Sequence, residues 1–372
     1  MEREKARRIV EFFIQKGKLI TPEVLKFLLS TRNHERIIQE LSEREKFVIE
    51  ESDLVFFETK KDKIKILLNI TERPSEVSIE DFVKFYRDKY ERIKNIITRR
   101  FDYRFISLDK IPNNETSYII VMVHDVKKER DKTILTVEDL TKKEEIIFLN
   151  PVNVELDDVV IIACRKQGDV VYGERIEYPG IPLRQPTKGY GKVCAISDLH
   201  LDEAPLGEFK KFIEKFSESE IKYLIVSGDI GDCEKFKEAV RELKDKTIFV
   251  IPGNKDCKDY PALPLEIDLD NVVSLSNPSM IEINGIKFLL IHKFNIEMLE
   301  KRYLDAGGKA RFVFRRDYLV LEEVPDIVVF GHTHAPNVMN YKSITLVNPG
   351  SLLSEFKPIV IDLSTREYSV LK

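Results

Sequence analysis

Five segments of the chain run from apolar residues into side chains that could bind metal ions. The first, residues 193–200, is an apolar run that ends in a carboxylate and an imidazole one residue apart, Asp198 and His200. The other four also end in O or N donors. Their donors are Asp229, Asn254 with Asp256, His292, and His332 with His334. Each segment predicts a buried strand, a turn and then a donor.

A single Asp after a strand is usually a turn residue or a helix cap. Here, however, five such endings occur in order, and they hold four of the six histidines of a 372-residue chain. This clustering favours a metal site. Carboxylate, carboxamide and imidazole ligands suit divalent ions such as Mn²⁺, Fe²⁺ or Zn²⁺. A shared carboxylate can hold two ions ~4 Å apart, a spacing that clamps a phosphodiester in line.

The order Asp-x-His, Gly-Asp, Gly-Asn-x-Asp, His, Gly-His-x-His resembles that of the calcineurin-like metallophosphoesterase superfamily, over residues 192 to about 350. Residues 316–327 and 346–351 further resemble the small subunits of archaeal family-D DNA polymerases. Upstream segments at 17–22, 119–123, 136–141 and 178–183 also resemble these subunits.

The resemblance implies a role for each donor. One metal ion would be held by Asp198, His200, Asp229 and His334, with Asp229 bridging, and the second would be completed by Asn254, His292 and His332. The expected cofactors are two divalent ions, Mn²⁺ first, with Mg²⁺, Fe²⁺ or Zn²⁺ as alternatives. The implied reaction is 3′ to 5′ removal of nucleotides from DNA, which is proofreading.

Two residues depart from the family pattern. Lys255 stands where the family has a histidine that contacts the phosphate, and Lys293 stands where a glycine commonly follows the fourth-motif histidine. We predict Lys255 and Asp256 as the catalytic positions. A lysine with an ordinary pKa of ~10.4 is a poor proton donor at neutral pH. Lys255 could therefore slow cleavage, unless desolvation lowers its pKa enough for it to serve as the acid.

The elements that must position these residues predict a multidomain chain. A small all-α module is expected over residues 1–57, and a charged linker that could hold a short strand over 58–80. An OB-like β-barrel with a leading helix is expected over 81–183. An α/β two-sheet sandwich, the metallophosphoesterase domain, is expected over 184–372, with its ligands at the carboxyl ends of strands.

The barrel is predicted from five or six short strands, near 103–108, 118–126, 132–138, 144–149, 158–165 and 170–177. Its leading helix, 81–100, carries one apolar stripe that includes Phe82, Phe85, Tyr86 and Tyr90. The barrel sequence lacks the regular aromatic interleaving of single-strand binders, so protein contact is favoured over DNA binding there.

Composition narrows the functional classes. Lys and Arg number 60 against 64 Asp and Glu, so the net charge of −4 gives no global attraction to nucleic acid, and any DNA contact must be local. The four cysteines form no Cys-x-x-Cys pair, which argues against a zinc knuckle or a disulfide framework. The start of the chain has no signal-peptide pattern, and no apolar run reaches 18 residues. A cytoplasmic, soluble protein without membrane contact is expected.

Three functions remain open. The leading hypothesis is the nuclease-bearing small subunit of a replicative DNA polymerase, with a large catalytic subunit and DNA as partners. The second is the same subunit as a catalytically inactive scaffold, which Lys255 would allow. The third is a free-standing metal-dependent phosphodiesterase, although a small-molecule enzyme has no need of the helical module and barrel.

Overall fold

The computed structural model divides the chain into two compact units, Met1–Lys63 and Ile64–Lys372, which are described separately. The residues that it describes are 2–30, 34–44, 46–54, 63–73, 76–305, 314 and 316–371. No helix in these ranges combines the length and the apolar character that crossing a membrane requires.

The first unit is helical but not all-α. Its elements are α1 (Glu2–Gln15), β1 (Leu19–Ile20), α2 (Pro22–Ser30), α3 (His34–Ser42), β2 (Val48–Ile49) and α4 (Glu51–Leu54). The expected all-α description is corrected by β1 and β2, which pair in parallel. The helices bury a small core that includes Phe13, Leu28 and Leu41. Gly17 follows α1 with φ +70°, a conformation that favours glycine and ends the helix.

The second unit begins with a strand inside the stretch that the sequence assigns to a linker. This strand, β3 (Ile64–Leu68), pairs antiparallel with residues 279–283 of the phosphoesterase region. The next helix, α5 (Ile79–Arg100), starts two residues before its predicted position because Ser78 caps it. The Ser78 hydroxyl accepts the Asp81 N–H while the Asp81 carboxylate accepts the Ser78 N–H, which forms a capping box.

Five strands then form a closed barrel in the order β4-β5-β6-β8-β7. They are β4 (Thr116–Lys128), β5 (Thr133–Glu138), β6 (Lys143–Phe148), β7 (Val159–Gln167) and β8 (Val170–Glu177). The sixth candidate, near 103–108, forms no strand; within it only Phe105 makes a bridge, to Tyr118. Five strands suit the OB class, and that assignment stays a prediction.

The remaining strands and β3 form two six-stranded sheets, in the orders β12-β11-β10-β9-β18-β19 and β16-β17-β15-β14-β13-β3. Those of the first sheet are β9 (Lys192–Ile196), β10 (Tyr223–Ser227), β11 (Thr247–Ile251), β12 (Val272–Ser274), β18 (Ile359–Asp362) and β19 (Tyr368–Val370). Those of the second are β13 (Ser279–Ile283), β14 (Ile286–Leu290), β15 (Ile327–Val329), β16 (Asn337–Tyr341) and β17 (Ile344–Asn348). The helices of this region are α6 (Leu206–Glu218), α7 (Cys233–Val240) and α8 (Ile296–Lys301).

One apolar cluster joins the two sheets. It takes Val193 and Phe249 from the first sheet and Ile281, Phe288 and Val347 from the second. A second cluster lies between the first sheet and helices α6 and α7, through residues such as Phe209 and Phe236. Strands buried on both faces read as continuous apolar runs, which is why the motif-bearing segments look alike in the sequence.

Parallel pairing sets where the functional loops lie. Strand β10 pairs in parallel with β9 and with β11, and β15 pairs in parallel with β14. The carboxyl ends of these strands therefore point the same way within each sheet, and the loops that follow them gather at one edge.

Candidate metal centre

The structure brings all seven predicted ligands together at the ends of five strands. Each donor lies in the loop that follows its strand. They are Asp198 and His200 after β9, Asp229 after β10, Asn254 after β11, His292 after β14, and His332 and His334 after β15. Both aspartates, with His200 and His292, are almost fully buried, so the centre lies at the base of the loops.

One group of donors forms around Asp198, His200 and His334, whose ligand atoms all lie within 4.8 Å of one another. Asp198 Oδ1 is 3.3 Å from His334 Nε2, and the two imidazole Nε2 atoms are 3.2 Å apart. Asp229 Oδ2 lies 3.9 Å from His200 Nε2. These four residues are the set predicted for the first ion.

A second group forms around Asn254. Its Oδ1 lies 2.8 Å from His332 Nδ1 and 3.1 Å from His292 Nε2. The same His292 nitrogen is 3.3 Å from Asp229 Oδ2, so this oxygen lies close to both groups. Asp198 also reaches the second group, with Oδ1 4.0 Å from His292 Nε2. The bridging role of Asp229 stays a prediction. Asp198 and Asp229 each lie close enough to both groups for either carboxylate to bridge two ions.

The orientation of His292 shows that the donor set fits a cation. Its Nδ1–H donates to the Ser227 carbonyl oxygen at 2.8 Å, which leaves a lone pair on Nε2 in the neutral ring. That lone pair faces Asp229 Oδ2 and Asn254 Oδ1. In this neutral form three acceptor atoms converge without a hydrogen between them, and a divalent cation bound there would relieve their repulsion. Histidine ligands are typically oriented in this way, by a partner on the other ring nitrogen.

Burial and neighbouring charges shift the pKa values of the ligands. Burial raises the pKa of Asp198. Burial also acts to raise the pKa of Asp229, but contacts with His292 and the Lys255 N–H hold it below its usual value. For His292, the pull of Asp229 outweighs burial and raises the pKa. Burial and the His292 charge lower the pKa of His332.

The backbone turns sharply at these positions. Five of the seven predicted ligands have positive φ: Asp198 (50°), His200 (45°), Asp229 (52°), His332 (68°) and His334 (57°). In a non-glycine residue this conformation costs on the order of 1–3 kcal/mol and clusters at functional sites. The strained backbone lets the loops after β9, β10 and β15 turn back immediately after their strands, which keeps these donors close together.

Two buried asparagines that the sequence analysis did not assign support the loops. Asn277 accepts the His292 N–H at 3.2 Å through Oδ1 and donates from Nδ2 to the Pro252 carbonyl at 2.9 Å. It thus ties the loop after β11 to the end of β14. Asn348 donates from Nδ2 to Thr333 Oγ1 at 2.8 Å, between His332 and His334. Both asparagines precede a proline, and this is the sequence signal that could have marked them.

The two predicted catalytic positions differ in their surroundings. The side chain of Lys255 is half exposed, with Nζ 3.2 Å from Glu203 Oε1, and that contact raises the lysine pKa. Its backbone N–H donates to Asp229 Oδ1 at 2.8 Å. Asp256 is instead half-buried among backbone donors and accepts the N–H groups of Gly253, Ile230 and Gly231 at 2.8, 3.1 and 3.0 Å. This arrangement indicates that Asp256 positions the loops after β10 and β11.

Comparison with protein families supports, for the region that holds this centre, the superfamily that the sequence resembles. Residues 192–363 match the family described as calcineurin-like phosphoesterase superfamily domain. A solved structure titled as a novel archaeal phosphodiesterase is 24% identical, covering 48% of this chain and 97% of that one with a TM-score of 0.35.

The sequence relatives extend beyond this region. A DNA polymerase II small subunit from Methanothermobacter thermautotrophicus is 26% identical, over 70% of each chain. One from Pyrococcus furiosus is 29% identical over 68% of this chain and 54% of its own length. The matched part of the chain thus spans between about half and about 70% of these two relatives. The predicted resemblance to the polymerase small subunits and to the phosphoesterase superfamily is confirmed.

Proposed function

From this similarity we propose that the chain is the small subunit of a two-subunit archaeal replicative DNA polymerase, and that it carries a 3′ to 5′ exonuclease. The observation that supports the nuclease is the convergence of seven donors into two adjacent groups with Asp229 Oδ2 near both. Polymerisation would belong to a large catalytic partner subunit, and DNA would be the substrate. A polymerase subunit of this kind would work in the cytoplasm.

The residues of the centre would each do a defined part of the work. Two divalent ions, when bound, would activate water and neutralise charge on the phosphodiester. Asp198, His200, Asp229 and His334 would hold one of them, and Asn254, His292 and His332, with Asp229, would hold the other. The Ser227 carbonyl oxygen accepts a hydrogen bond from His292 Nδ1–H, which would leave Nε2 free to bind the ion. Mn²⁺ is the ion we expect first, with Mg²⁺, Fe²⁺ and Zn²⁺ as alternatives.

Lys255 would contribute charge rather than a proton. Its ammonium lies at an exposed position beside the centre, and the ion pair with Glu203 favours the protonated form. A positive charge there would attract a phosphate, but a group with a raised pKa gives up its proton poorly near neutral pH. Binding of DNA would then be retained while cleavage is slowed.

The raised pKa of Lys255 also favours a second candidate function, in which the same small subunit acts as a scaffold with negligible turnover. The third reading, a free-standing phosphodiesterase, would leave the barrel and the helical unit without a role. Co-purification with a large polymerase subunit separates the first two functions from the third. A nuclease assay separates the first from the second.

The test is hydrolysis of a duplex labelled at a mismatched 3′ end by the isolated chain with saturating Mn²⁺. We expect release of single nucleotides from the 3′ end by the native chain. The matched control is Asp229→Asn, which keeps the side-chain volume and the acceptor for the Lys255 N–H but removes the charge. Cleavage by both proteins at one rate would mean that the activity lies elsewhere, and cleavage by neither would favour the scaffold.

A further inference from the structure

The first two turns of α5 present an apolar stripe to solvent. Ile79, Phe82, Val83 and Tyr86 are all exposed, and Val83 keeps 63% of its surface accessible. Their spacing of three, four and seven residues places them on one side of the helix. Further along α5, residues such as Ile93 and Ile97 pack against the barrel. An exposed apolar stripe of this kind marks an interaction site more often than a chance surface.

The stripe forms one wall of a cavity of about 980 Å³. Phe82, Val83 and Tyr86 line it from α5, and Leu140 and Leu156 line it from loops of the barrel. These two leucines are also exposed, by 53% and 56%. We call this cavity the α5 groove. Apolar side chains on both walls mean that an occupant must itself be apolar on the side that enters.

The charge around the α5 groove is negative. Seven carboxylates line it, against three Lys and Arg side chains. Two of these cations are already engaged: Lys89 is buried with Nζ 3.6 Å from the centre of the Tyr303 ring, and Lys301 Nζ lies 3.0 Å from Asp158. The third, Arg87, pairs with Glu91 at 3.1 Å. Three of the seven carboxylates are paired as well, Glu138 with Lys143, and Glu155 and Asp158 with Lys301. The excess of carboxylates over cations in the lining still favours an occupant with positive charge at its edges.

We propose that the α5 groove binds a basic amphipathic α-helix of a partner protein. The apolar face of that helix would pack on Phe82, Val83 and Tyr86 from one side and on Leu140 and Leu156 from the other. Lysine or arginine residues that flank its apolar face would meet the carboxylates of the rim. This is the helix-in-groove mode of recognition, in which apolar anchors recur at helical spacing.

Two features separate this site from the metal centre and from DNA. None of the seven predicted metal ligands is among the described residues that line the groove. Binding there can thus succeed or fail independently of nuclease activity. Phosphate groups would also be repelled by the carboxylate rim, so a nucleic acid is disfavoured.

The probe is a fluorescent peptide of about 18 residues, built from Leu and Lys with leucines at helical spacing. Its binding to the full chain is measured by anisotropy. The test variant is Val83→Lys, which puts a positive charge on the exposed stripe while keeping a good helix former. The matched control is Leu183→Lys, at an exposed leucine that is not part of the groove lining.

We expect saturable binding to the native chain and to the control, and binding at least about tenfold weaker to Val83→Lys, a loss in the range for a central interface residue. A photo-crosslinker on the apolar face of the peptide should attach to α5 or to the loops of Leu140 and Leu156. If Val83→Lys fails the check of its fold by circular dichroism, Leu156→Lys replaces it.

Three results would overturn the proposal. The first is equal binding by native and groove variants, and the second is equal binding of a Leu/Glu peptide with the same pattern. The third is a labelled DNA strand that binds the native chain, displaces the peptide and binds more tightly to Val83→Lys than to Leu183→Lys, which would make the groove a nucleic-acid site.

Discussion

His292 donates a hydrogen bond from Nδ1 to the carbonyl oxygen of Ser227 at 2.8 Å. Ser227 is the last residue of β10, two positions before Asp229, so the strand that delivers a carboxylate also orients the imidazole opposite it. The contact links the two sheets, since His292 follows β14. The result is a pair of donors, Asp229 Oδ2 and His292 Nε2, held 3.3 Å apart by the backbone.

The first prediction concerns Asp256, whose carboxylate accepts three backbone N–H groups. Asp256→Asn keeps one acceptor oxygen and turns the other towards these donors as an NH₂ group. We expect unfolding to become easier by roughly 2 kcal/mol, the range for a lost hydrogen bond to a charged group. Activity should fall through weaker metal binding. Thermal unfolding measures the first effect and the Mn²⁺ dependence of cleavage measures the second, while the shape of the pH profile of cleavage should stay unchanged.

The control for this change is Asp232→Asn. Asp232 caps α7 by accepting two backbone N–H groups, and asparagine caps a helix about as well, so stability should barely change. If Asp256→Asn instead keeps its melting temperature and alters the shape of the pH profile, Asp256 takes part in proton transfer. The catalytic assignment predicted from the sequence would then stand.

The second prediction concerns the missing imidazole at Lys255. If it limits the rate, Lys255→His should raise single-turnover hydrolysis of a 3′-mismatched duplex by about 10²-fold, the usual contribution of a positioned acid. The desolvation that would make the lysine itself an acid is not supported, because its side chain is exposed and paired with Glu203. Glu203→Gln frees the lysine without adding an imidazole and should gain little. Equal or lower activity of Lys255→His would show that the lysine is an adapted catalytic residue.

The third prediction concerns the smallest part of the chain that binds the large subunit. From the sequence we expect residues 81–372 to suffice, but strand β3 lies outside that range and forms the edge of a sheet. It is fixed by the Ile70 N–H, which donates to Ser276 Oγ, and by the Ser276 N–H, which donates to Asn69 Oδ1, both at 2.8 Å. Residues 64–372 should therefore keep the melting temperature of the unit and bind the large subunit in a pull-down.

A shorter chain, residues 76–372, which lacks β3 but keeps the Ser78 cap of α5, provides the comparison. Removing β3 exposes the backbone of β13 as a new sheet edge, so this chain should melt lower and aggregate more readily. Equal stability of the two chains would mean that β3 adds nothing to the sheet. If residues 64–372 fail to bind the large subunit in the pull-down, partner binding would be assigned to the first unit instead.

The metal centre could be predicted from the sequence because its donors follow buried strands directly. Each donor follows the carboxyl end of a buried strand, and in parallel sheets these ends lie at one edge. The positions of Asp198, Asp229, Asn254, His292 and His332 in the sequence therefore predict that they meet at that edge. The sequence could not show which partner each side-chain oxygen binds. Asn254 and Asp256 belong to the same motif, yet the Asp256 carboxylate accepts backbone N–H groups.

Elsewhere the sequence left features open because a local pattern does not reveal a distant partner. The short apolar patch at 64–68 is predicted only as a possible strand, and it forms β3 because Ser279–Ile283, more than 200 residues later, pairs with it. On α5, periodicity predicts the apolar side of the helix but not which part of that side the barrel covers. Phe85 and Tyr90 are buried as expected, whereas Phe82 and Tyr86 on the same stripe are exposed.

The most direct test of the account is the number of metal ions that the chain holds. After gentle purification and reloading with Mn²⁺, elemental analysis should approach about two equivalents per folded chain, because the two donor groups are adjacent and complete. Asp229→Asn, with circular dichroism unchanged, should hold fewer, since one oxygen of Asp229 lies near both groups. A native chain that holds no Mn²⁺, or an Asp229→Asn chain that still holds two equivalents, would contradict the assignment of the site.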